Sequence, residues 1–162
     1  MKKLLVTAIL FFALGTNLIM AQDYNKGMEA YKAGDYATAI KEWKPLAEQG
    51  SAIAQFNLGY IYELGSGVLK DDTEAVKWYK LSAEQGNASA QFSLGDMYEN
   101  GKGILQNNVI AHMWYNIASA NGHKKAGEYR DERAGLMTAP EITKATAMAK
   151  ECMNSNYKKC GW

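Results

Sequence analysis

Apolar and polar positions fall into helical runs that end on glycine. One run spans about Ala52 to Leu64 and the next about Thr73 to Gln85. Within them, small residues (Ala54, Gly59, Ala75, Ala83) let helices approach closely, while Phe56, Leu58, Tyr62, Trp78 and Tyr79 fill the space between. Gly34, Gly50, Gly86 and Gly122 each sit one step past such a run, where a left-handed residue ends a helix and glycine costs least. Asp35, Ser51 and Asn87 follow three of them directly and are placed to cap the next helix. These joints predict tight helix-to-helix turns. Asp71 with Glu74 fits a capping box, and residues 65–72 and 101–108 predict longer loops. A last helix is predicted over Thr138 to Cys152. Thr138 and Glu141 form its capping box, Pro140 lies in its first turn, and Ile142, Ala145, Ala149 and Cys152 share one face. Lys144, Thr143, Lys150 and Glu151 make its other face polar.

The runs repeat. Shifting the chain by 36 positions and comparing Ala39–Glu74 with Ala75–Ile110 leaves 18 of 36 residues identical, where chance gives about two or three at average composition. A third copy begins at Ala111, keeps Trp114, Tyr115, Gly122 and Ala126, and then fades, with Arg130 and Asp131 at the places of Leu94 and Gly95. One helix pair cannot bury its own apolar face, so neighbours must stack on it. The expected fold is all-α: a right-handed α-solenoid of antiparallel helix pairs with a C-terminal capping helix.

Composition agrees with helices. Of 162 residues, 48% are apolar, alanine outnumbers valine 23 to 4, and there are two prolines. Few β-branched residues argue against a β-sandwich. Eighteen basic against 17 acidic residues give a net charge of +1 with no basic stripe, so nucleic acid is not an expected partner. Lys2 and Lys3 precede an apolar run from Leu4 to Leu14, and Ala21 stands at a candidate cleavage position. This pattern reads as a secretory signal, residues 1–21. The run is shorter than the ~20 residues that a membrane span needs. Cleavage leaves a periplasmic or secreted chain with no membrane span. Residues 22–135 then hold the repeats (about 24–50, 51–86, 87–122 and a partial 123–135), and 136–162 the cap and tail. Cys152 and Cys160 are the only cysteines. An even count in an exported chain reads as a disulfide pinning the tail to the cap. The rivals, a redox pair or half of a metal site, lack the C-x-x-C spacing and a nearby histidine.

The pattern A-x-A-Q-F-x-L-G-x-x-Y-E-x-G-x-G-[VI]-L followed by A-V-K-W-Y-K-x-S-A-E-Q-G resembles the Sel-1-like repeat, a 36-residue relative of the tetratricopeptide repeat. The resemblance covers roughly residues 24 to 135. The first pair departs from it, because Gly34 to Ile40 makes a shorter turn like that of an ordinary tetratricopeptide unit. The resemblance implies a non-enzymatic interaction scaffold for a protein or peptide, without a cofactor, in which the first helix of each pair lines a concave surface. In that register Ile53, Phe56, Tyr60 and Glu63 point to the groove, with Ser89, Phe92, Asp96 and Glu99 as their equivalents. Tyr60 against Asp96 is the clearest variation. The competing expectation is a cell-wall-active or β-lactam-handling hydrolase, by analogy with cysteine-rich relatives. Those relatives carry a cysteine pair in every repeat, and here the repeats carry none.

Other candidate chemistry is accounted for by structure. Gly65-Ser66-Gly67 and Gly101-Lys102-Gly103 follow helices and repeat with the structural period, so they read as turns rather than phosphate loops. His112 and His123, eleven residues apart, lack metal-ligand spacing. Glu48, Glu63, Glu84 and Glu99 recur by repetition. Trp43, Trp78, Tyr79, Trp114 and Tyr115 read as core. Asn87-Ala88-Ser89 matches a glycosylation sequon but sits at a tight joint and reads as a cap.

Overall fold

A computed structural model describes residues 23–161; the predicted signal at 1–21 and Trp162 lie outside them. The described residues form helices and no strands. They are α1 (23–32), α2 (Tyr36–Glu48), α3 (Ala52–Leu64), α4 (Asp72–Ala83), α5 (Ala88–Asn100), α6 (Asn108–Ala120), α7 (Ala126–Ala134) and α8 (Ala139–Asn154). Each helix from α2 to α7 packs on its neighbours in sequence, and α8 packs on α6. The result is an α-solenoid of helix pairs.

The joints form as the glycines predict. Gly50 has φ +95° and Gly86 φ +83°. At the first, the Gly50 N–H donates to the Ala47 carbonyl and the Ser51 N–H to the Leu46 carbonyl, closing the last turn of α2. Ser51 then accepts from the Ala54 N–H and starts α3. Asn87 does the same for α5, accepting from the Ser89 and Ala90 N–H groups. Replacing Gly50 or Gly86 with alanine is expected to cost at least about 1 kcal/mol, because the side chain strains the left-handed backbone. A Cβ at Gly50 meets open space, whereas at Gly86 it comes within 3.2 Å of the Tyr157 ring. Thermal melts should therefore show the larger loss for Gly86→Ala.

The capping box expected at Asp71 forms only by half. Asp71 accepts from the Glu74 N–H at 2.9 Å. Its own N–H is already taken by the Tyr62 carbonyl, and Glu74 turns instead to Lys77. The long loop has to close back on α3, and that closure uses the donor the box would have needed.

Close approach within each pair has one device. Gly59 faces the ring of Tyr79 and Gly95 the ring of Tyr115, with no room for a Cβ. Gly27 meets Trp43 in the same way. Counting along the chain, Gly27 stands 32 residues before Gly59, while Trp43 stands 36 before Tyr79. The missing four residues are those of the shorter first turn, with 3 residues (33–35) between α1 and α2 against 7 (65–71) between α3 and α4. Between pairs, buried amides satisfy helix ends. Gln55 Nε2 donates to the Ala47 carbonyl and Gln91 Nε2 to the Ala83 carbonyl. Gln55 in turn accepts from Gln85, and Gln91 from Asn121.

The C-terminal cap continues this register. Ala145, Ala149 and Cys152 are buried, repeating the spacing of Ala111, Tyr115 and Ala118 on α6. Glu141 accepts from the Thr138 N–H and hydroxyl at 2.8 Å. After α8, Asn156 takes φ +53° and plays the part glycine plays at the other joints. Its N–H donates to the Met153 carbonyl and the Tyr157 N–H to the Cys152 carbonyl. The tail then turns back. Cys152 and Cys160 are disulfide-bonded with a Cα–Cα distance of 4.5 Å, and the Tyr157 hydroxyl bonds the Asn121 side chain at the end of α6.

Candidate functional site

Phe56, Tyr60 and Glu63 follow one another at i, i+4 and i+7 and so form one stripe along α3. Ile53 precedes them and is 49% exposed; Tyr60 is 40% exposed and Phe56 half-buried. Beside the stripe lies a cavity of about 190 Å³, walled by Met28 and Tyr31 of α1, Trp43 of α2, and Phe56, Asn57 and Tyr60 of α3. Tyr31 and Trp43 stand 5.7 Å apart between ring centres, and Phe56 and Tyr60 stack at 6.4 Å. Polar contacts brace the walls. The Trp43 indole N–H donates to the Tyr24 carbonyl and Asn57 to the Tyr24 hydroxyl. Burial raises the Tyr31 hydroxyl above the usual phenol range, with the neighbouring Tyr60 and Tyr36 adding to it.

The second stripe, on α5, is differently furnished. Ser89 sits in the first turn, half-buried, with its N–H held by Asn87. Phe92 is half-buried like Phe56 but has more rings around it: His123 stacks on it at 4.2 Å, and Tyr129 and Tyr115 pack at 5.0 and 5.4 Å. One repeat earlier, the positions of His123 and Tyr129 are held by Asn87 and Ser93, so Phe56 lacks those two rings and packs instead on Tyr60 and Tyr79. Asp96 is partly exposed and binds Lys102 at 2.8 Å. The same ammonium reaches Glu63 at 3.7 Å, across the repeat boundary. Glu99 pairs with Arg133 of α7.

Glu63 and Glu99 also face inward. Each accepts from a buried tyrosine hydroxyl, Tyr79 at 2.7 Å and Tyr115 at 2.6 Å. Burial pushes both phenols up, helped by the negative charge of Glu63 at Tyr79 and of Asp96 at Tyr115. Both therefore remain neutral donors at any ordinary pH. Lys102 is held above the usual lysine range by its bond to Asp96, against the opposing effect of burial, with Glu63 and Asp72 contributing.

The predicted residues thus separate by surroundings. Phe56 and Tyr60 border an open aromatic cavity, and Ile53 stands exposed one turn before Phe56 on α3. Glu63, Asp96 and Glu99 form an acidic row threaded by two cations. Phe92 packs on His123 and on Tyr129 of α7, and Ser89 belongs to the start of α5. The sequence reading missed Met28 and Tyr31, because a uniform shift of 36 does not reach them. The signal was present in the shift of 32 that matches Gly27 to Gly59 and so places Met28 opposite Tyr60 and Tyr31 opposite Glu63. A larger recess of about 490 Å³ lies along α8 and the tail, lined by residues such as Lys150, Glu151 and Lys159, with no aromatic wall and none of the predicted residues.

Both histidines are packing residues. His112 is buried with no hydrogen-bond partner for Nδ1. Burial holds it below the usual value of 6.5, and Arg130 pushes the same way. His123 is lowered by burial and by Lys125. A histidine whose folded value is depressed contributes stability that is present above its unfolded value and lost as pH falls through the folded one. Stability should therefore decline as pH drops below about 6.5. A His112→Gln variant should show a shallower decline in denaturant melts over that window. An unchanged slope would assign the acid sensitivity elsewhere.

Among the described residues, no group of three or more histidine, cysteine, aspartate or glutamate side chains is placed to hold a metal ion. None of their helices is long and apolar enough to cross a membrane.

The repeating glycine-and-ring packing defines a helical-repeat protein of the tetratricopeptide-like class. The Sel1 repeat matches residues 52–87 and 88–123. A Sel1 repeat protein from Oxalobacter formigenes is 32% identical, with a TM-score of 0.65 over 75% of this chain and 97% of that one. The c5321 protein, a protective antigen present in uropathogenic Escherichia coli strains and displaying an SLR fold, is 27% identical, with a TM-score of 0.80 over 85% of this chain. The present chain spans 31% of that antigen's length. No curated protein matches the chain. The protein belongs to the Sel1 repeat family, whose repeats generally mediate protein–protein interaction.

Proposed function

We propose that the protein is an exported, non-enzymatic scaffold that binds a protein or peptide across a concave groove lined by α1, α3 and α5, with no cofactor. The observation that carries this reading is the aromatic cavity beside Phe56 and Tyr60. Phe56 and Tyr60 remain half-open although the same repeat buries Tyr79, Leu58 and Ile61. Repeat positions that differ between copies, such as Tyr60 and Asp96, are free of the packing demand and available to a ligand. Export is supported by the charged and apolar N-terminal pattern and by the Cys152–Cys160 disulfide, a bond that persists in oxidising compartments.

The test joins both parts. Mass spectrometry of the protein recovered from the periplasm or medium should find a chain beginning at Gln22. The tagged protein should retain a partner from a native envelope fraction, and Tyr60→Ala should release it while melting like the parent. A partner retained equally by Tyr60→Ala would move the binding surface away from α3. Recovery of the uncleaved chain from the cytoplasm would remove the export part.

A further inference from the structure

We propose that the cavity between α1 and α3 seats the cationic side chain of a lysine or arginine. The side chain belongs to an extended segment of a protein partner, which continues along the acidic row of α3 and α5. This inference rests on the groove reading above and adds the chemistry of the occupant. Four of the six lining residues, Tyr31, Trp43, Phe56 and Tyr60, are aromatic. Ring faces carry the negative lobe of the aromatic quadrupole and attract a cation placed over them. At about 190 Å³ the cavity has room for a single long side chain. Three of the lining residues, Tyr31, Asn57 and Tyr60, carry polar groups, which suit a charged head better than a purely apolar anchor.

The surroundings fix the sign of charge. Glu63 lies one turn beyond Tyr60 on the same face of α3. Among the described residues, Glu63, Asp96 and Glu99 form ion pairs with Lys102 and Arg133, three carboxylates to two cations. The chain's own Lys102 already bridges Asp96 and Glu63, at 2.8 and 3.7 Å, so the row holds an ammonium between two carboxylates. A basic segment arriving beside Tyr60 meets a net negative field, which steers its approach and rejects an acidic one. Lys102 offsets part of the charge of Glu63 and Asp96, so its removal strengthens the negative field that a cation beside Tyr60 meets.

The experiment pans a random peptide display library on the purified protein and on Tyr31→Ala, Tyr60→Ala and Lys102→Ala variants, each checked by thermal melting. Synthetic versions of the enriched peptides are then titrated. The expected peptides carry lysine or arginine. They lose about tenfold or more in affinity on Tyr60→Ala or Tyr31→Ala and bind more weakly as salt rises. They bind Lys102→Ala about two- to fivefold more tightly, a gain on the scale of one partly exposed ion pair. A merely structural role for Lys102 would give no gain. Peptides that depend on Tyr60 but lack a basic residue, or that do not tighten on Lys102→Ala, overturn the cation assignment and leave the groove standing. If no enriched peptide depends on Tyr31 or Tyr60, both readings fall.

Discussion

Gly95→Ala is expected to destabilise the protein by about 2 kcal/mol, although it replaces glycine with the best helix former inside a helix. At an exposed site that exchange gains about 1 kcal/mol. Here the new Cβ would lie 2.4 and 2.5 Å from two ring carbons of Tyr115. The ring is fully buried, and its hydroxyl is tied to Glu99. Phe92 and Tyr129 pack against it. With the ring boxed in, overpacking lies near the top of its usual range of about 1–3 kcal/mol and exceeds the helix gain. For a chain of this length the melting temperature should fall by roughly 8 °C. Gly127→Ala on α7 is the control. Its Cβ would meet only the Ser119 hydroxyl, at 3.3 Å, which can turn away. That variant should hold or gain stability. A Tyr115→Leu change should make Gly95→Ala cheaper, giving a coupling of about 1 kcal/mol in a double-mutant cycle. A stabilising Gly95→Ala would mean that the ring is not the partner that demands glycine.

Loss of the Cys152–Cys160 bond is expected to cost about 2–3 kcal/mol, the loop-closure value for a bridge of this span. The damage should be local. Both cysteines are buried, and the Tyr157–Asn121 pair also anchors the tail. Each helix packs mainly on its neighbours, so the centre of the stack does not depend on the tail. In a double serine variant, hydrogen exchange should quicken in α8 and over residues 155–161 while α3 to α5 keep their protection. Protection lost throughout would mean that the bond supports the whole stack. Free-thiol titration without reductant should find no reactive cysteine in the parent protein.

Much of the architecture was legible because it repeats. A residue demanded by packing recurs at a fixed interval, as Gly59 with Gly95 and Tyr79 with Tyr115 do, and repetition separates it from chance. Helix ends were legible for a local reason: glycine followed by serine, asparagine or aspartate can satisfy the free backbone groups of both helices at once. The capping box of α8 also formed as written. The same local rule was half wrong at Asp71, because its N–H is bonded by Tyr62, nine residues away and on another helix. No pattern within four residues contains that competitor.

The candidate site was less legible, because repetition marks what is shared and a binding surface is made of what differs. The sequence by itself determined the helices, their joints, the period of the stack and the stripe of Ile53, Phe56, Tyr60 and Glu63. Only the tertiary structure decided that Met28 and Tyr31 complete the wall beside Tyr60. It also decided that His123 and Tyr129 pack on Phe92 while Phe56 lines the cavity, and that Lys102 reaches back across a repeat to Glu63. The division has a physical cause. Helix ends and close helix–helix approaches are set by short-range sterics and backbone hydrogen bonds, which a few residues specify. A cavity is what remains when side chains from three helices fail to meet, and that depends on the sizes of residues far apart in the chain.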